Sequence, residues 1–308
     1  MLTVKKLTGT IKAHRREVTL MGNRFEINVL GHDENWANTR IDSAINEINR
    51  VEQLLSPFND SSIISLINRN AGKRPVVVNA EIFGLISRAV QISDLTHGGF
   101  DITYKAAGKK LKSNTAVTNK TAANFTNYKN IVLDATANTV FLKNKEIRIG
   151  FGAISRGYAA DRAKYILQME GVSSGVINAG GQLLSWGLQE NKTPWTIAAA
   201  DPSQTGQPYA NINISNMAVA TSFNAEQLII NNNSTIDINP DNGFPVSKIN
   251  RVSIITTGAE FADAMVAPII AMGINAGLYL INKLNQMACI IVDDHSRVYT
   301  SKDINLIA

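Results

Sequence analysis

The sequence is short of cysteine, histidine, aromatics and charge, and each shortage narrows what the chain can be. There is one cysteine, Cys289, among 308 residues, so no internal disulfide can form. It lies in the apolar run 287–292 and reads as a buried core thiol rather than a nucleophile. The four histidines, His14, His32, His97 and His295, are scattered. Aromatic residues make up 6% and the net charge is only +5. The basic residues are dispersed, with no aromatic platform or base-reading motif, which argues against nucleic-acid binding. No apolar run approaches about eighteen residues, so no transmembrane span is expected. The N-terminal MLTVKKLTGTIKAHRREV has no apolar signal core and no lipid-attachment cysteine. The expected location is therefore the cytoplasm, unless an export signal has been removed.

What is present is the balance of an ordinary soluble globular protein, 44% hydrophobic and 18% charged. The length suits one large domain or two modest ones. Residues 17–31 alternate as a hairpin with Gly22-Asn23 near the turn. Apolar residues at three-to-four spacing, from Ala37 through Ile41, Ile48 and Val51 to Leu55, predict a long helix over 34–55. Ser56-Pro57 stops it. A short helix is expected over 62–68, a strand over 75–78, and a second long helix that Asn79 caps. The polar stretch 105–128 reads as a surface excursion or the seam between lobes 1–128 and 129–308. From 130 onward strands dominate, among them 130–134, 138–143, 146–149, 174–178, 195–200, 209–214, 217–221, 227–231 and 251–256. Helices over 259–272 and 275–284 and a hairpin over 287–300 complete the chain. Helices and hairpins alternate irregularly, which argues for α+β architecture rather than a doubly wound parallel sheet.

The stretch 149–181 is the richest in chemical signal. Gly150 and Gly152 lie between a strand and a helical pattern, and Gly180-Gly181 close a second strand. Glycines so placed let a backbone approach a bulky anion, and a helix N-terminus offers N–H groups to phosphate. The spacing is not the dinucleotide fingerprint, so alone it is a weak signal.

Seven segments in fixed order make it specific: Met21-Gly22-Asn23-Arg24-Phe25-Glu26; Ser56-Pro57-Phe58-Asn59-Asp60-Ser61-Ser62; Gly98-Gly99-Phe100-Asp101-Ile102-Thr103; Gly152-Ala153-Ile154-Ser155-Arg156-Gly157-Tyr158-Ala159-Ala160-Asp161; Asn178-Ala179-Gly180-Gly181; Asn239-Pro240-Asp241-Asn242-Gly243-Phe244-Pro245; and Ala262-Asp263-Ala264-Met265. Together they resemble the FAD:protein FMN transferase (ApbE) family over about residues 17–300. The resemblance implies a single domain related to the T-fold, with mixed sheets and packed helices in two intertwined lobes around a nucleotide cleft. It implies binding of FAD, Mg²⁺-dependent cleavage of its pyrophosphate, and transfer of FMN to a threonine or serine of an acceptor protein. It also implies a periplasmic or membrane-associated location if an export signal has been removed. The oligomeric state is not legible.

By the same resemblance, Met21, Phe58, Asn59, Ser61, Asp101, Thr103, Gly152, Arg156, Asp161, Gly180 and Gly181 are expected to contact flavin or nucleotide. Phe58 offers a ring for stacking and Asp161 an acceptor for ribose hydroxyls. Against these stand plain structural roles, a turn tie at Asp101 and a helix-surface charge at Asp161. Asp263 and Ala153 are expected at the metal, which takes oxygen ligands.

Several positions depart from the family's pattern. The threonine one helical turn after the metal-binding aspartate is Ala267, and the histidine before the Asn-Pro turn is Ile236. The usual lysine is Arg156, which keeps the charge but changes the geometry. The acidic residue after Ala-Gly-Gly is Gln182, and a turn glycine is Phe223. The sequence thus supports two readings, an active transferase and a relative that binds a flavin nucleotide, or nothing, without transferring FMN.

Overall fold

The computed structural model describes residues 11–105, 127–200, 208–223, 249–302 and 306–307. They fall into two compact units, 1–49 with 156–308, and 50–155. The division therefore lies at 49/50 and 155/156 rather than at 128/129. Strand pairing is the reason, because the N-terminal hairpin completes a sheet made mainly of the second half of the chain.

In the larger unit, β1 (Lys12–Leu20) and β2 (Asn23–Gly31) form the expected hairpin, paired from Lys12↔Gly31 to Leu20↔Asn23. β2 then pairs antiparallel with β8 (Gly175–Ala179), and β8 turns through Gly180-Gly181 into β9 (Gln182–Trp186). With β12 (Ala218–Phe223), β13 (Ile249–Thr256), β14 (Met287–Asp293) and β15 (Val298–Thr300) they make an eight-stranded sheet, ordered β1-β2-β8-β9-β12-β13-β14-β15. β10 (Thr196–Ala200), β11 (Pro208–Asn213) and β16 (Leu306–Ile307) form a separate three-stranded sheet. Ile212, Ile214, Val219, Ile255, Ala288 and Ile290 share one core cluster between strands of these two sheets.

Three helices serve this unit. α1 (Glu34–Leu55) runs across the 49/50 division, and its stripe Ala37, Ile41, Ala44 and Ile48 is fully buried, as the spacing predicts. α4 (Ser155–Met169) buries Tyr158, Ala159, Ala163 and Leu167. α5 (Ala259–Ile281) packs on β12, β13 and β14. The two expected helices, over 259–272 and 275–284, are its two segments, which meet at a kink where Gly273 (φ 79°) is non-helical. Length and composition alone would let α5 cross a membrane, which corrects the expectation that no apolar run approaches about eighteen residues. Every residue of β14 is buried, Cys289 included, and burial pushes its thiol up to about 12.

The smaller unit holds α2 (Ile63–Arg69) and α3 (Ala80–Leu95), with β3 (Val76–Val77), β4 (Thr103–Lys105), β5 (Ile131–Asp134), β6 (Thr139–Leu142) and β7 (Ile147–Ile149) in two small sheets. Asn79 caps α3 as expected, accepting from the Ile82 N–H at 2.9 Å. Buried Asn68 grips β7 with both ends of its amide. Its Nδ2 donates to the Ile149 carbonyl at 3.0 Å and its Oδ1 accepts from the Ile149 N–H at 2.8 Å. Residues 106–126 and the expected strand 227–231 lie outside the described residues.

Candidate active site

Four chain turns of the larger unit meet where the sequence motifs predict chemistry. The first is the β1–β2 turn, with Met21 (φ 51°) and Gly22 (φ 68°) both left-handed. Asn23 donates through Nδ2 to the Met21 carbonyl at 2.8 Å, which fixes its side chain. The second is the Gly180-Gly181 turn, with φ 66° and 97°. A Cβ on Gly180 would lie 3.2 Å from Asn23, so the two turns touch, whereas the space beside Gly181 is open. Gly181 donates its N–H to Asn178 Oδ1 at 2.9 Å.

The third turn is the start of α4. Arg156 reaches Asn23 Oδ1 at 3.3 Å. One residue on, a Cβ on Gly157 would stand 2.3 Å from the Ala259 carbonyl oxygen, so only glycine lets α4 approach the start of α5 this closely. The fourth is the start of α5 itself. Its Gly258 cap position has no side chain, and the work is done from α4. Asp161 Oδ1 accepts from the Ala259 N–H at 2.9 Å and Oδ2 from the Glu260 N–H at 2.8 Å. Asp161 is thus a tertiary helix cap, satisfying two N–H groups that α5 cannot satisfy internally. Burial pushes its carboxyl up to about 6, with the two backbone bonds pulling the other way.

Asp263 follows in the next turn of α5. Its carboxylate is also pushed up to about 6 by burial, opposed by the Gln182 side chain, the positive charge of Arg156 and the Gly157 backbone N–H. Unlike Asp161 it is left incomplete. Asp263 Oδ2 is buried and has no hydrogen-bond partner among the described residues, and the same holds for Gln182 Oε1. Gln182 itself is 7% exposed. Ala267, one turn further along α5, is exposed and offers no side-chain oxygen.

So the structure gathers Met21, Arg156, Gly180, Gly181 and Asp263 into one neighbourhood, with Asp161 bonded to the same end of α5. The other expected residues belong to the smaller unit. Phe58 is 94% exposed on the 56–59 loop, which Ser56 Oγ ties by accepting from the Phe58 and Asn59 N–H groups. Asn59 Oδ1 accepts from both the N–H and the hydroxyl of Ser61. Asp101 is a turn tie, accepting from the Thr103 N–H at 2.7 Å and the Tyr128 N–H at 2.9 Å. Thr103 Oγ1 is buried without a partner among the described residues. Gly152 and Ala153 are exposed on the turn into α4, and nothing crowds a Cβ at Gly152. Ile236 and the Asn239-Pro240 turn lie outside the described residues, as does the side chain of Phe223.

Sequence reasoning undervalued Asn23 and Gly157. Both stand inside quoted motifs, but only tertiary contacts reveal that one links two turns and the other clears room for a helix. A separate cavity of about 680 Å³ is walled by Leu30, His32, Trp36, Ser173, Leu188 and Lys192. It opens at the other end of β2 and β8, about 25 Å from the Asn23 turn at ~3.3 Å per residue, and contains none of the motif residues.

Comparison with known proteins bears on the family and the fold. The ApbE family model matches residues 21–291. The chain belongs to the ApbE family. It is 24% identical over 301 residues to an FAD:protein FMN transferase of Klebsiella pneumoniae (strain 342), covering 94% of this chain and 92% of the relative. The flavin transferase ApbE of Vibrio cholerae shares its fold, with a TM-score of 0.75, 20% identity, and 95% and 98% of the two chains covered. The ApbE protein of Thermotoga maritima matches at a TM-score of 0.75 and 24% identity, covering 94% and 97%. The expected α+β ApbE architecture is therefore the observed one.

Proposed function

We propose that the protein is an FAD:protein FMN transferase, which binds FAD and moves its FMN half to a hydroxyl of an acceptor protein. The observation that carries this reading is Asp263, a half-buried carboxylate beside Arg156 with one buried oxygen that no described protein group satisfies. Leaving a buried acceptor unmet costs about 1–3 kcal/mol, which a folded site tolerates when a ligand completes it. The oxygen chemistry fits a hard divalent cation such as Mg²⁺, and Asp263 is the residue that would hold it. When bound, Mg²⁺ neutralises negative charge on the pyrophosphate.

The chain's own residues account for the rest. Arg156, fixed on Asn23, presents a guanidinium suited to phosphate oxygens. The open space beside Gly181 lets the nucleotide approach the backbone. Asp161 holds the first turn of α5 in place, and with it Asp263. In the reaction the acceptor hydroxyl oxygen bonds to the FMN phosphorus and its proton passes to solvent, while the bond to the bridging oxygen breaks and AMP leaves with that oxygen.

One observation favours a second reading, binding of a flavin nucleotide without transfer. Ala267 supplies no oxygen where the resemblance implies a threonine. Incubation with FAD, Mg²⁺ and a threonine-containing acceptor domain, followed by in-gel flavin fluorescence, separates the two. A covalent band supports transfer. A flavin that co-purifies but never becomes covalent supports the second reading.

A further inference from the structure

We propose that Gln182 is itself a cation ligand, supplying Oε1 as a second oxygen beside Asp263; this rests on reading Asp263 as the metal's carboxylate. Gln182 opens β9 directly after the left-handed Gly180-Gly181 turn, paired with Ala179. That turn delivers its side chain into the protein, where it is 7% exposed. The Gln182 side chain lies beside the Asp263 carboxylate and favours its charged form, as an amide N–H facing the carboxylate does and an amide oxygen, which would be repelled, does not. Its carbonyl oxygen is then left buried with no partner among the described residues, next to a carboxylate whose Oδ2 is in the same condition. Two adjacent orphaned acceptors cannot satisfy one another. A cation satisfies both, and amide carbonyls are ordinary ligands of hard divalent ions.

The assignment has a chemical consequence. Ala267 adds no side-chain oxygen, so the protein's side-chain share of the site is one carboxylate and one neutral amide. A neutral amide holds a divalent ion less strongly than a second carboxylate. The position is thus a determinant of cation affinity in this chain.

The test is calorimetric titration of Mg²⁺ alone into the full chain, paired with carbon NMR of protein labelled at glutamine Cδ. Gln182→Leu is expected to weaken Mg²⁺ binding by about tenfold or more and Gln182→Glu to tighten it by about tenfold, within the usual range for single metal-site changes. The Cδ resonance that disappears in either variant should move downfield when wild-type protein is saturated. Should the leucine variant not fold, the glutamate variant and the resonance decide. Wild-type affinity in Gln182→Leu, unchanged affinity in Gln182→Glu, or an unmoved resonance overturns the role of Gln182 and leaves Asp263 standing. No Mg²⁺ binding by the wild type, or undiminished binding by Asp263→Asn, overturns the reading of Asp263, and this inference with it.

Discussion

Asp161 and Asp263 both serve the start of α5, both are pushed up to about 6 by burial, and they do opposite work. Asp161 spends each oxygen on a backbone N–H and so joins α4 to α5. Asp263 keeps an Oδ2 that none of the described residues meets. A raised carboxyl alone does not mark a functional group, since a structural cap has the same titration. The unmet oxygen tells them apart. A third carboxylate, more deeply buried, sharpens the point. Asp293 is fully buried, but Arg297, Tyr299 and the His295 and Arg297 N–H groups surround it. Although burial pushes it up, those partners hold it below the ordinary range. Its neighbours Asp294 and His295 complete a tight acidic group, yet the partners of Asp293 account for it as a hairpin fastening.

The largest expected effect is on catalysis. Asp263→Asn should lower FMN transfer by about a hundredfold or more, the scale of losing a metal-site carboxylate, measured as covalent flavin under single-turnover conditions. Gly157→Ala comes next in consequence for the fold. Its Cβ collides with backbone rather than a pliable side chain, so α5 must shift, and urea denaturation should show a loss of about 2–3 kcal/mol. Asp161→Ala should cost about 2–4 kcal/mol by the same measurement, because two buried N–H groups lose their acceptors. Asp263→Asn should instead keep or raise stability at pH 7. If the two aspartate variants destabilise equally, the contrast between them is broken.

The pH dependence follows from the direction of the shifts. Asp161 and Asp263 move from an ordinary 3.8 to about 6, so between those values the folded protein keeps protons that the unfolded chain releases. Their contribution to stability is fully present below about pH 4 and is lost as pH rises through about 6. Each is worth about 3 kcal/mol at most. Unfolding free energy measured from pH 4 to 7 should carry this declining component, and Asp161→Asn should flatten it. Asp293 acts with the opposite sign, and its contribution disappears only in more acidic solution. The smallest effect belongs to Gly181→Ala, where φ is 97° but nothing crowds a Cβ. A loss of about 1 kcal/mol is expected there.

Local structure was largely legible because local rules govern it. The apolar stripe of α1 and the Asn79 cap of α3 can be read from spacing and residue type. β9 escaped, because it begins one residue after a glycine pair that looks like a loop. The break at Gly273 was legible, because the pattern parts there into two expected helices, and one residue with positive φ does interrupt α5 at that point. Its uncharged run from Ala264 to Ile281 was also passed over, though packing on the sheet explains that composition. The motifs located Asp161 and Asp263 but could not say which was satisfied. That depends on N–H groups about a hundred residues away for Asp161, and on Gln182 for Asp263. Gln182 was visible only as a departure from pattern, whereas its unmet oxygen is a tertiary fact.

The central claim is that Asp263 is present for chemistry and not for folding. The most direct measurement is the single-turnover rate of covalent FMN transfer by Asp263→Asn, made where its urea midpoint at pH 7 equals or exceeds that of the wild type. The account predicts a fall of about a hundredfold or more in a protein that is at least as stable. A rate within about threefold of wild type in that well-folded variant would contradict it.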